Sequence, residues 1–166
     1  MLDALPIPDP SDAPLAWGVV LIACVIGCVT DLRARRLPNI LTLPLWLAGL
    51  VFATATGGVS GLGGAFTASV LLAIPYVILF VCAGGGAGDA KMMAALGAWL
   101  GLMPGLYTLV VIAFVGGAVG LAYGRLTPGE CLAFMPPPGG STRIPYGLAI
   151  CLGTLVAFGG GLQWHV

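Results

Sequence analysis

The sequence predicts an all-α membrane protein, a polytopic bundle of about six transmembrane helices with the N-terminus outside and its polar loops on the cytoplasmic face. Three observations predict it. Of 166 residues, 59% are hydrophobic and 7% charged, against about 25% charged in an ordinary soluble domain, so a water-facing surface cannot be covered. Mean hydropathy is +1.08, and the apolar residues fall into runs near the length of a bilayer crossing. The 27 glycines suit helices that pack closely in lipid, where small residues let backbones approach.

The same composition excludes some classes of function. A formal net charge of zero leaves no basic surface for nucleic acid. Cys24, Cys28, Cys82, Cys131 and Cys151 include no Cys-x-x-Cys pair and fall mostly inside apolar runs. They read as small core hydrophobes rather than zinc ligands or a disulfide framework, and neither metal nor cofactor is expected.

Residues 1–14 carry Asp3, Asp9 and Asp12, several prolines and no Lys or Arg. They lack the basic region of a signal peptide and read as a short acidic extracytoplasmic tail; residues 15–166 read as a single transmembrane domain. The first apolar run covers 15–30 and ends in Asp31-Leu32-Arg33-Ala34-Arg35-Arg36-Leu37-Pro38-Asn39. Pro38 and Asn39 are expected to turn the chain into span two, with Asn39 as its N-cap. Span two covers 40–56 with a kink expected at Pro44, and the glycine-rich stretch 57–64 is expected to be a turn. Span three covers 65–83 and leads into Gly84-Gly85-Gly86-Ala87-Gly88-Asp89-Ala90-Lys91.

The fourth span starts at about Asp89 and runs to Met103, where Pro104-Gly105 should turn the chain. Span five, 106–123, holds Gly116 and Gly120 in a small-xxx-small ladder. A Pro- and Gly-rich loop over 125–145 contains Glu130 and Arg143, and its composition suits a lid. Span six, 146–161, has Pro145 at its first turn, where a missing N–H costs nothing. Trp17, Trp99 and Trp164 are expected at the outer interface, where indole rings anchor, and Trp46 in packing.

With even alternation of six spans, Arg33, Arg35, Arg36, Lys91, Arg125 and Arg143 all fall on one side, and these are all the basic residues of the chain. Positive residues stay in the cytoplasm, which puts both termini outside. Asp31 and Asp89 then share the cytoplasmic face. A carboxylate in a nearly charge-free membrane chain is costly and marks a functional site. Two carboxylates brought together resist joint ionisation and hold a shared proton. The ionised member can take a proton from water while the protonated one polarises a carbonyl, the division of labour of an aspartic protease. Gly86 and Gly88 permit positive φ and close backbone approach, so an extended peptide could lie beside Asp89.

Gly86-Ala87-Gly88-Asp89, with the following Ala90-Lys91-Met92-Met93-Ala94-Ala95-Leu96-Gly97-Ala98-Trp99-Leu100-Gly101, resembles the signature of type IV prepilin peptidases. Asp31 followed by Arg35-Arg36-Leu37-Pro38-Asn39 resembles that family's first aspartate and its Pro-Asn loop. Ile144-Pro145-Tyr146-Gly147 resembles the motif opening its last span. The resemblance implies a multi-pass aspartic endopeptidase of the cytoplasmic (inner) membrane that removes the short basic leader of prepilin or pseudopilin substrates, cutting after a glycine before the apolar helix. It carries Asp31 and Asp89 over as the catalytic pair, with Gly86, Gly88, Lys91, Pro38 and Asn39 binding substrate or shaping the site.

Longer members of that family carry a cytoplasmic domain with two Cys-x-x-Cys pairs and also N-methylate the product. The short loop between Asp31 and Asn39 and the absence of such pairs resemble the peptidase-only type of Flp or tight-adherence pili. Two other readings compete. A presenilin-like or signal-peptide-peptidase-like enzyme also uses Gly-x-Gly-Asp but cuts deep in the bilayer, whereas Asp31 follows its apolar run and precedes Arg33. A small proton-coupled transporter would use the two aspartates as a relay near the midplane. Lys91 and the arginines read as topology anchors at lipid headgroups.

Overall fold

A computed structural model describes residues 14–34, 38–83, 86–126 and 146–161. The described residues are helical throughout the elements α1 (Pro14–Ala34), α2 (Asn39–Ala83), α3 (Ala87–Leu100), α4 (Leu102–Leu126) and α5 (Tyr146–Gly161), with no strand among them. Among the described residues, three stretches are long and apolar enough to cross a membrane: Pro14–Arg33, Asn39–Cys82 and Leu102–Val119. The acidic segment 1–13, the arginines Arg35 and Arg36, the loop with Glu130 and Arg143, and Trp164 lie outside the described residues.

At 44 residues Asn39–Cys82 is more than twice the roughly 20 a crossing needs, and it does not run straight. Gly58 takes φ 61° and ψ −147°, a left-handed φ that glycine adopts without steric cost, and the chain reverses there. Beyond it Gly61 comes against the Ala53 carbonyl. Trp46 Nε1–H donates to Ser69 Oγ at 3.1 Å, and its ring lies 6.4 Å from that of Phe66. The arms 39–57 and 59–83 therefore lie side by side, as expected for spans two and three. The reversal is at one glycine, with helix on both sides of it, rather than across the whole stretch 57–64.

A second boundary also differs from expectation. The break between α3 and α4 is at Gly101, with φ 74° and its N–H donating to the Gly97 carbonyl at 3.0 Å. Pro104 instead lies in the first turn of α4, where its missing N–H has no helical partner to lose, and its carbonyl accepts from Thr108 Oγ1 at 2.8 Å.

Helix α3 is the centre of the packing. Nine of its fourteen residues are buried, among them Met92, Met93, Leu96 and Asp89, and it touches α1, α2 and α4. Its seat against α2 is set by small residues: a Cβ on Gly97 would stand 2.8 Å from the Ala68 backbone. Between α4 and α5 the tight point is Gly153, where a Cβ would meet Ile112 Cγ1 at 2.6 Å; Gly116 makes only ordinary contact with Ala149. The outside is apolar, with Ile40, Val81 and Phe114 each more than 70% exposed, as suits a surface covered by lipid rather than water.

Two of the tryptophans expected at the interface also pack between helices. Trp17 is 4% exposed and packs on Phe158 at 5.6 Å between ring centroids. Trp99 stacks on Phe52 at 5.2 Å and donates its Nε1–H to the Leu45 carbonyl at 2.8 Å.

Candidate active site

Asp31 sits in the last turn of α1, where the helix presents unsatisfied carbonyls and a partial negative charge that disfavour a carboxylate. The start of α5 offsets this. The Gly147 N–H donates to Asp31 Oδ2 at 2.8 Å, and the first N–H groups of a helix have no partner within it. α1 and α5 pack along one another, and two turns further in Cys24 Sγ contacts Thr154 Oγ1 at 3.7 Å. Asp31 is half-buried.

Asp89 is reached from another direction. The chain enters α3 through Gly86, extended at φ −77° and ψ 120°, and the Asp89 N–H donates to the Gly86 carbonyl at 3.1 Å. This puts Asp89 in the first turn, where the helix favours negative charge, yet its side chain is turned into the bundle and only 8% exposed. Gly86 is not needed for a positive φ, which among the described glycines occurs only at Gly58 and Gly101. It is needed for space, because a Cβ there would lie 2.6 Å from Asp89 Oδ2. Gly88 is helical, in the same first turn.

Asp89 lies outside the three stretches long enough to cross a membrane, and its carboxyl is pushed up to about 7, first by burial and then by the negative charge of Asp31. Separated by 58 positions in sequence, the two aspartates thus feel each other in the fold, α1 and α3 being in contact. A carboxyl raised in this way keeps its proton to a much higher pH than an exposed one does.

Lys91 does not reach for either carboxylate. Its Nζ donates to Asn39 Oδ1 at 2.8 Å, joining α3 to the start of α2. Asn39 is consequently not the N-cap expected from its position. Pro38 is, its carbonyl accepting from Leu41 N–H at 3.0 Å and Thr42 N–H at 3.3 Å. Pro38, Asn39, Lys91, Gly86 and Asp89 thus form one cluster at the facing ends of α2 and α3, with Asp31 and Gly147 completing it from α1 and α5. The role of the Gly147 N–H was not legible from the motif around it, because the motif gives a residue type and the contact is made by backbone. Among the described residues, no three His, Cys, Asp or Glu side chains converge as a metal would require.

Residues 18–121 match the type IV leader peptidase family, a stretch that includes Asp31, Pro38, Asn39, Gly86, Gly88, Asp89 and Lys91. This chain belongs to that family. Among its relatives, the prepilin leader peptidase/N-methyltransferase of Burkholderia pseudomallei strain 1026b is 34% identical over 155 residues, covering 87% of this chain and 50% of that protein. The protein of the same description from Legionella pneumophila is 30% identical over 162 residues, covering 92% and 53%. That of Neisseria gonorrhoeae is 35% identical over 129 residues, covering 72% and 44%. The chain spans about half the length of the curated relatives it matches. Family membership and the three apolar stretches make it a membrane protein.

Proposed function

We propose that this chain is a membrane-embedded aspartic endopeptidase that removes the short basic leader from prepilin-like proteins at the cytoplasmic membrane face, without N-methylation. The observation that carries the reading is the buried Asp89 whose proton is held up by burial and by Asp31, in a chain of the leader peptidase family. The reading makes Asp31 and Asp89 the catalytic pair.

In this mechanism a water bound between the carboxyl groups loses a proton to the ionised aspartate as its oxygen attacks the scissile carbonyl. The protonated aspartate gives its proton to the carbonyl oxygen, which would otherwise carry the developing negative charge. The tetrahedral diol then collapses. The first aspartate passes its proton to the departing nitrogen, the C–N bond breaks, and the second recovers a proton from the diol hydroxyl. The pair ends as it began, which suits a site where one proton is shared.

Six crossings follow in this reading from α1, the two arms of α2, α3, α4 and α5, with the ends that carry Asp31, Asn39, Asp89 and Gly147 on the cytoplasmic side, where Arg33 and Lys91 also lie. That side of the inner membrane is where a basic leader would be held by charge. The Flp or tight-adherence assignment and the absence of methylation rest on the short connection from Asp31 to Asn39.

The test is co-expression with a candidate prepilin in a membrane, read as intact mass and N-terminal sequence, for the native chain and for Asp31→Asn and Asp89→Asn. Cleavage after glycine by the native chain alone, giving an unmethylated N-terminus, is the expected result. Cleavage that persists in either variant removes that aspartate from the pair, and a product heavier by one methyl group removes the single-activity reading.

A further inference from the structure

We infer that Gly147 is a positioning residue whose backbone N–H, at the start of α5, holds Asp31 as the water-activating member of the pair. This rests on the aspartic peptidase reading above and adds to it an assignment of roles and a third participant outside the two aspartate motifs.

The geometry has two independent parts. The first is the bond itself, Gly147 N–H to Asp31 Oδ2 at 2.8 Å. It fixes one carboxylate oxygen on a donor that cannot rotate away. The acceptor stands at the end of α1, where its own helix opposes a negative charge, and the donor stands at the beginning of α5, where the helix favours one. The second part is space. Gly147 is buried, and a Cβ there would lie 2.8 Å from both Asp31 Cβ and Asp31 Oδ2 and 3.1 Å from Cγ. Only a residue without a side chain lets α5 come close enough for the N–H to reach.

The contrast with Asp89 assigns the roles. Asp89 is 8% exposed, lying where a Cβ on Gly86 would meet its carboxylate, and burial with the charge of Asp31 pushes its carboxyl up to about 7. Asp31 is more exposed and has a backbone donor. The proton therefore rests on Asp89, which gives it to the carbonyl oxygen, and Asp31 takes one from water. Among the described residues, the titratable groups that feel the charge of Asp31 are Asp89 on α3 and Cys28 on its own helix, and Arg33 shares the last turn of α1.

The experiment uses the full chain in phospholipid nanodiscs with a prepilin that the native chain cuts, and follows kcat and KM from pH 5 to 9 for the native chain, Gly147→Ala, Asp31→Asn and Asp89→Asn. With the N–H displaced from Asp31, Gly147→Ala is expected to lower kcat by roughly tenfold or more, since bonds to charged groups are the stronger class, with KM within about twofold. The acid limb of the kcat profile is expected to move to higher pH, because losing a hydrogen bond disfavours the charged form of a carboxylate. An unchanged rate and profile overturns the inference. A lower rate with an unmoved profile overturns it as well, because packing alone would do that. A second measurement separates contact from catalysis: Gly147→Ala should lower the thermal midpoint in the native background and much less beside Asp31→Gly, which removes all three crowding atoms. Equal losses in both backgrounds overturn the contact. If Asp31→Asn still cuts, the peptidase reading of Asp31 fails and the role given to Gly147 falls with it; if Asp31→Asn is inactive and only the Gly147 results fail, the peptidase reading stands alone.

Discussion

Gly86 and Asp89 fit together with no room for a side chain between them: a Cβ on Gly86 would stand 2.6 Å from Asp89 Oδ2 and 3.4 Å from Cγ. The extended backbone of Gly86 is open to any residue, so an alanine there would fold without strain and act only on the carboxylate. Gly86→Ala is expected to leave the thermal midpoint near that of the native chain while lowering leader cleavage by roughly a hundredfold, as a displacement of about 1 Å at a reacting group does. A variant with native turnover would show that Asp89 is not held by this contact during the reaction.

The proton on Asp89 ties stability to pH. Its carboxyl is raised in the folded chain from 3.8 to about 7 by burial and by Asp31, so the folded state holds this proton more tightly than the unfolded one. Stability from this group is fully present below about pH 4 and is lost as pH rises through about 7. Asp89→Asn cannot ionise and escapes the loss. Its advantage over the native chain is expected to be small at pH 4, to grow up to about pH 7 and to level off above, reaching a few kcal/mol at most. Thermal midpoints across that range would reveal an opposite trend. Asp31→Asn removes the second cause and leaves burial, so the rise in the same curve should come at lower pH.

Lys91 and Asn39 offer a milder test. Their 2.8 Å bond is exposed, and such bonds contribute about 1 kcal/mol. A double-mutant cycle with Lys91→Met and Asn39→Ala is expected to give a coupling of that size in unfolding. Neither change should approach the loss of turnover caused by altering Asp31 or Asp89. Complete inactivity of Lys91→Met in a folded chain would mean that its ammonium leaves Asn39 for the reacting groups or the substrate.

The helical membrane class was legible because it follows from charge poverty and run length, which act over whole segments. The two aspartates were legible because a carboxylate stands out in a chain with 7% charged residues. Local details were harder to read. Nothing in 57–64 distinguishes Gly58 from the other glycines before the arms pack, yet the reversal is at that residue. Pro104-Gly105 looked like a stop, but a proline in a first helical turn is compatible with helix, and the stop fell on Gly101 three residues earlier. Asn39 has the side chain of a cap, and tertiary structure takes that side chain for Lys91 and leaves capping to the Pro38 carbonyl. The packing of Trp17 and Trp99 was unread for a related reason: run position tells how deep a residue lies, not which side of its helix meets a neighbour.

The position of α3 depends on two glycines of the α2 interface that carry no chemistry. Gly97 lies two turns beyond Asp89, and a Cβ there would come within 2.8 Å of Ala68 C and O and 2.9 Å of Ser69 Cα. Backbone atoms inside a helix cannot swing aside as a side chain can, so the added methyl group must push α3 off the second arm of α2. Gly49 makes the corresponding contact with Ala98 and Trp99 from the first arm. Gly97→Ala is therefore expected to destabilise the chain by about 1–3 kcal/mol, the usual cost of overpacking, and to reduce cleavage by tilting Asp89 away from Asp31. Gly63 is the control, being helical with nothing within 4 Å of its Cβ position. Gly63→Ala should be neutral or stabilising by up to about 1 kcal/mol, because alanine loses less backbone freedom on folding. Unfolding measured in the same detergent decides between them: equal effects at the two positions would mean that the close packing of α3 on α2 does not set the stability of the bundle.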